Sequence, residues 1–245
     1  HGPRTGEHWL EYLPVVRSTD LLAPTTRTQK TTGPSQDKLE LDHLLYATPD
    51  VDATVAELEE RFGVSFAGGG THPGWGTRNR ILPLGNRLYL EVIGPDEAQA
   101  DAEYDPILEV HRLTAPSLAW WAIRPFLMPL TCGEFETAGF VPGQVVDGRR
   151  TLPDGGELTW TITDPRVRLM DGLIPLVIDW GTSTRHPGDG GTPGVSLSSL
   201  RLEHPENVRL GELFGTMGLP EVHPGEAPAI ITTFDTPNGS VELRS

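Results

Sequence analysis

"LDHLLYATPDVDATVAELEERFG", residues Leu41 to Gly63, changes its period halfway along, and that change decides the fold. Together with Leu39 and Glu40 before it, the segment up to Ala47 reads as a strand, in which alternation puts His43 on one face with Leu39, Leu41 and Leu45. Beyond Asp50 the apolar residues fall at Val51, Val55, Leu58 and Phe62, which is a helical stripe. Asp50 is suited to open that helix and Gly63 to stop it. Three more strands follow, in "VSFAGGG", "NRILPLG" and "RLYLEVIG", with Gly85-Asn86 as the turn between the last two. The unit is therefore strand, helix and three strands.

The order recurs. "SLAWWAIR", "LTCGEFETAGF", "GQVVDGRR", "GELTWTIT" and "IPLVIDWG" give a strand, a short helix, a hairpin around "LPDGG" and a closing strand. A third pass runs through "VSLSSLRLEHP", the helix "ENVRLGELFGTMG", and the strands "AIITTFDT" and "GSVELRS" on either side of "PNG". The phrases "ELEERFG" and "ELFGTMG" match, as do the closing strands "LYLEV" and "GSVEL", which set Glu91 and Glu242 at corresponding positions. The expected architecture is an α+β fold of repeated βαβββ modules near residues 39–95, 117–181 and 195–245. Residues 1–38 differ: "TDLLAPTTRTQKTTGPSQDK" is polar and aperiodic, which reads as an N-terminal arm or linker.

Bulk composition narrows the partners. Nineteen Lys and Arg against 34 Asp and Glu give a formal charge of −15, which argues against nucleic acid and anionic membrane surfaces. No apolar run is long enough to span a bilayer, and Cys132 is the lone cysteine, so an internal disulfide is ruled out and a reducing, cytoplasmic setting is expected. With 28 glycines and 23 prolines, turns are frequent, which favours a strand-rich chain.

Inside the apolar run "NRLYLEVIG" sits Glu91. A carboxylate in a buried strand is costly unless a positive group or a metal receives it. His43, in the opening strand of the same module, is the natural counterpart.

The ordered set "DH…PDVDA", "GGGTHPGWGTRN", "YLEVIG", "LPDGGELTW", "IPLVIDWG…HPG" and "HPENVRLGELFGTMGL" resembles the glyoxalase-like domain proteins of the vicinal oxygen chelate superfamily. The likeness runs from about Leu39 to the C-terminus. It implies modules paired into curved, mostly antiparallel mixed sheets around a cleft, where a His or Glu at the start of a module and a Glu on its last strand hold a divalent ion. Carried onto this chain, the metal set would be His43, Glu91 and either Asp179 or Glu242, with Zn, Fe, Mn or Ni as the ion. Glu91 or Glu242 would act as the catalytic base. The first strands of the second and third modules offer Trp120, Trp121 or Ser199 where a further ligand would stand, so the ligand set is incomplete.

The segment "GGGTHPGWGTRNR" reads as a glycine-rich loop at the cleft, with His72, Thr77, Asn79 and Arg80 as substrate contacts, Arg78 or Arg80 suited to a carboxylate, and Trp121 as a pocket wall. No phosphate-cradling glycine pattern precedes a helix and no nucleophile elbow occurs. Two functions remain in view. One is a metal-dependent enzyme of vicinal-oxygen-chelate type, an isomerase, lyase or dioxygenase acting on a small oxygenated metabolite. The other is a protein of the same fold that binds or sequesters a small molecule without turnover. An unpaired third module would leave a sheet edge for a second subunit, so a homodimer is expected.

Overall fold

The computed structural model describes residues 39–99, 107–183 and 185–245; the N-terminal arm read in the sequence lies outside them. The first module comprises β1 (Glu40–Ala47), α1 (Val51–Phe62), β2 (Ala67–His72), β3 (Thr77–Gly85) and β4 (Leu88–Pro95). The second repeats it as β5 (Ser117–Arg124), α2 (Met128–Thr137), β6 (Val145–Thr151), β7 (Glu157–Thr163) and β8 (Leu176–Asp179). The third contains β9 (Ser196–His204), α3 (Asn207–Met217), β10 (Val222–Pro224), β11 (Ala229–Thr236) and β12 (Gly239–Arg244).

Local chemistry accounts for the helices. The Asp50 side chain accepts a hydrogen bond from the amide of Ala53, so α1 starts on a capped N-terminus. Val51, Val55, Leu58 and Phe62 are buried along one face, and Gly63 ends the helix in a left-handed conformation. Gly218 ends α3 in the same way, as the matching phrases in the sequence suggest. Phe62 packs on Phe234 of β11 with ring centroids 5.3 Å apart, which ties the first module to the third.

The first two modules close into an eight-stranded barrel in the order β1-β4-β3-β2-β6-β7-β8-β5. Within each module the first and last strands pair in parallel, β1 with β4 and β5 with β8. The modules meet along two unequal seams. Strands β1 and β5 run antiparallel from Glu40↔Arg124 to Ala47↔Ser117, whereas β2 and β6 touch through the single pair Thr71↔Thr151. The third module forms a separate sheet, β10-β9-β11-β12. Among the described residues no helix is long and apolar enough to cross a membrane.

The weak seam depends on Gly70. A Cβ there would stand 2.0 Å from the carbonyl oxygen of Thr151, a backbone atom that cannot swing aside. Gly70→Ala is therefore expected to part β2 from β6 and destabilise the protein by about 1–3 kcal/mol, read as a lower urea midpoint. An unchanged midpoint would show that the seam is not needed for closure.

Two elements depart from the sequence reading. "GGGTHPGWGTRNR" is a hairpin, not a loop, because Gly70, Thr71 and His72 pair with Asn79, Arg78 and Thr77 and the turn occupies only the residues between. The third module also has a short strand, β10, that no periodicity announces; it is three residues long and pairs in parallel with β9.

Candidate active site

Side chains facing into the barrel line a pocket. The first module contributes His43 and Leu45 from β1, His72 from β2, Asn79 from β3, and Tyr89, Glu91 and Ile93 from β4, with Trp75 from the β2–β3 turn. The second contributes Ile162, Leu176, Ile178, Trp160 and Trp180, and a single cation, Arg150. The reactive groups thus stand on one wall and the hydrocarbon and indole surfaces on the other.

Asp42 organises the reactive wall. In a regular strand it would face away from His43, but the β1–β5 register slips between Leu41 and His43, so Asp42 has no partner across the seam. It is completely buried. Its Oδ1 accepts from His43 Nδ1 at 2.6 Å. Its Oδ2 accepts from Arg124 Nη1 at 2.8 Å, His186 Nε2 at 3.0 Å and Trp180 Nε1 at 3.1 Å. Burial alone would raise its pKa, but the hydrogen bonds from His186 and His43 outweigh that and hold the carboxyl well below its usual range. The amide of Gly188 donates to His186 Nδ1, so the proton of that ring is on Nε2, facing Asp42. By the same logic a singly protonated His43 carries its proton on Nδ1, and Nε2 is left bare.

That bare nitrogen faces Glu91, with His43 Nε2 3.6 Å from Oε2. The other carboxylate oxygen, Oε1, accepts from Asn79 Nδ2 at 2.6 Å. The same amide nitrogen lies 3.3 Å from His72 Nε2, and His72 Nδ1 lies 2.9 Å from the Thr77 hydroxyl. Donation from Asn79 to His72 Nε2 puts the His72 proton on Nδ1, toward Thr77. Asn79 Oδ1 is buried without a partner, and turning the amide over would press that oxygen against the Glu91 carboxylate. Tyr89 stacks on the His43 ring with centroids 4.7 Å apart, and burial raises its pKa well above the ordinary value of 10.0, so its hydroxyl keeps the proton.

The residues named from sequence divide accordingly. His43, Glu91, His72 and Asn79 share the cavity. Thr77 stands behind His72 as a hydrogen-bond partner. Arg80 and Arg78 leave on the opposite face of β3 because they alternate with Asn79; Arg80 reaches the Phe66 carbonyl and Arg78 pairs with Asp52. Trp121 turns to the third module, its indole donating to the Leu173 carbonyl and its ring lying 6.2 Å from Phe214. Asp179 is exposed at the end of β8, where it accepts from the Gly181 amide, and Glu242 is exposed on β12, outside the barrel.

The expected metal set is therefore not assembled. Among the described residues no group of three or more His, Cys, Asp or Glu side chains is arranged to hold an ion. The Asn79 amide stands between Glu91 and His72, where a cation shared by them would lie. The donors do not fit a three-ligand centre. Asp42, Tyr89, Arg150, Trp160 and Trp180 carry no sequence signal that marks them for the site; the folded barrel brings them to it.

His72 makes the stability sensitive to acid. Burial lowers its pKa from 6.5 to about 4, against the pull of Glu91. The unfolded chain then takes up this proton near pH 6.5 and the folded one only near pH 4, so stability falls as pH drops through that window. The shift is worth about 3 kcal/mol. His72→Gln should flatten the fall in urea stability between neutral pH and pH 4; an unaltered slope would contradict it.

Comparison with known proteins follows this geometry. A family model described as "Glyoxalase-like domain" matches residues 41–217. The chain belongs to the glyoxalase-like domain family. The family lies in the vicinal oxygen chelate superfamily, and the match spans the barrel and reaches the end of α3. Among solved structures, this glyoxalase-like domain resembles a hypothetical protein from Staphylococcus aureus at a TM-score of 0.54 and 13% identity, over 84% of this chain and 85% of that one. It also matches methylmalonyl-CoA epimerase from Mycobacterium tuberculosis at a TM-score of 0.36 and 17% identity, over 61% of this chain and 91% of the epimerase. A mutant of 4-hydroxymandelate synthase from Streptomyces coelicolor matches at 0.40 and 15% identity, over 85% of this chain and 63% of the synthase. Likenesses at such identities speak to fold alone. No curated protein matches this glyoxalase-like chain.

Proposed function

We propose that this protein is an enzyme that moves a proton on a carbon beside a carbonyl group of a small oxygenated metabolite, as an isomerase, epimerase or lyase does. The supporting observation is the bare His43 Nε2 facing Glu91 Oε2 across 3.6 Å in the barrel pocket. Glu91 takes the proton from carbon and the electron pair moves onto the carbonyl oxygen. The Tyr89 hydroxyl donates to that oxygen as charge develops. Asn79 fixes the Glu91 carboxylate through Oε1 and leaves Oε2 as the working atom. His43, with Asp42 behind it, takes up or returns a proton through Nε2. Return to the same carbon on the other face inverts it; return to a neighbouring atom isomerises the substrate. Every step uses groups of this chain.

The second reading, capture of a small molecule without turnover, is favoured by the aromatic wall. Trp160 and Trp180 lie 5.3 Å apart, and Trp160 meets His72 edge-on at 6.1 Å. Proton NMR in D₂O separates the two. The purified protein is offered oxo acids, hydroxyketones and thioesters, and exchange of the proton beside the carbonyl is followed against buffer alone. Faster exchange for one class supports catalysis. Thermal stabilisation by a compound that does not exchange supports capture and overturns the enzyme reading.

A further inference from the structure

We infer that Arg150 is the anchor for a carboxylate on the ligand, which makes the substrate a small carboxylic acid with a flat apolar body. The inference rests on the reading of this cavity as the substrate site and adds the class of molecule it takes.

Arg150 lies on β6 with only 4% of its surface exposed, and it lines the cavity. Its Nε has no hydrogen-bond partner, and among the described residues no carboxylate stands within ion-pair distance of its guanidinium. The neighbouring Arg149 is exposed, as alternation requires, so one arginine of the pair is turned inward. The turn is accommodated locally, since a Cβ on Gly70 of β2 would come within 3.0 Å of the Arg150 Cγ.

An unpaired guanidinium is hard to hold in such a place. Arginine does not give up its proton, and a buried charge without a partner is strongly destabilising. Glu91, the carboxylate of this cavity, is already engaged by Asn79 and faces His43. The buried acid beyond it, Asp42, is matched by Arg124 and three further donors. Arg150 is left with a planar fork of donors, the geometry that receives a carboxylate through two hydrogen bonds. The remainder of its wall consists of Ile162, Leu176, Ile178, Trp160 and Trp180, which suit an apolar, planar body.

Phenylacetate and its neutral isostere phenylacetamide provide the probe, with binding to the full chain measured by titration calorimetry. The acid is expected to bind at least about tenfold more tightly than the amide. Arg150→Met should abolish that preference, Arg150→Lys should reduce it, and Glu91→Gln should keep it. Equal binding of acid and amide, absence of binding by the folded wild-type protein at millimolar concentration, or a preference retained by folded Arg150→Met each overturns the anchor. If Arg150→Met does not fold, Arg150→Lys and the wild-type comparison decide. Loss of the proton-transfer reading has a different signature: no deuterium exchange, with the preference for the acid intact.

Discussion

Glu91→Gln is expected to lower the rate of proton exchange by about 10²–10⁴-fold while leaving the fold in place. The amide oxygen of glutamine can still accept from Asn79 Nδ2, and the side chain has the same shape, so the hydrogen bond now 2.6 Å long survives. What disappears is the atom that carries the proton, Oε2, across from His43. His43→Gln should also fall far, because it removes the Nε2 partner and leaves Asp42 Oδ1 without its imidazole donor. Since the two groups handle one proton, the double variant should be little worse than the poorer single one. The measurement is the deuterium exchange rate of each variant at substrate saturation, with folding checked by circular dichroism. A Glu91→Gln protein within tenfold of wild type would remove Glu91 from the role of base and leave the cavity a binding site.

The βαβββ modules were legible because their signals are periodic. The shift from strand to helix at Asp50, the stop at Gly63 and the hairpin at Gly85-Asn86 are local chemistry, and the structure keeps all three. The pairing of modules came from the resemblance to the glyoxalase-like domain proteins and not from the period of the residues. The second half of the site was less legible, because it depends on which way single residues turn. Asp42 joins His43 only because β1 bulges between Leu41 and His43, and strict alternation predicts the opposite. The arginine facing the cavity is Arg150 and neither Arg78 nor Arg80, since both of the latter occupy the outer positions beside Asn79. Glu242 does not match Glu91 in the fold: the third module builds its own sheet in a different strand order, with β12 at the edge against β11, whereas β4 pairs with β1.

Asp42→Ala is the substitution expected to harm stability most, by about 3–5 kcal/mol, because it leaves buried donors around a missing acceptor. Arg124 would keep Glu40 as a partner, 2.9 Å away, but that contact is exposed and recovers little. His186 Nε2 and Trp180 Nε1 would be left pointing at a void. The sign of the acid dependence follows from the depressed pKa. Asp42 stabilises the fold fully above its ordinary carboxylate pKa of 3.8, and the contribution drains away as pH falls through the lower folded value. Below neutral pH the wild-type protein should therefore lose stability in two windows. The first lies between about 6.5 and 4 and belongs to His72; the second lies under 3.8 and belongs to Asp42. Asp42→Asn divides structure from positioning. It keeps the volume and one acceptor oxygen, so it should unfold less readily than Asp42→Ala, yet it no longer selects the His43 tautomer. In the folded Asp42→Asn protein the exchange rate should fall, because His43 loses the carboxylate that holds its proton on Nδ1 and leaves Nε2 bare. Urea denaturation of both variants across pH, with the exchange rate of folded Asp42→Asn, tests the pair of claims. An Asp42→Ala protein within about 1 kcal/mol of wild type would mean that the donors find other partners, and that Asp42 neither holds the barrel seam nor orients the imidazole.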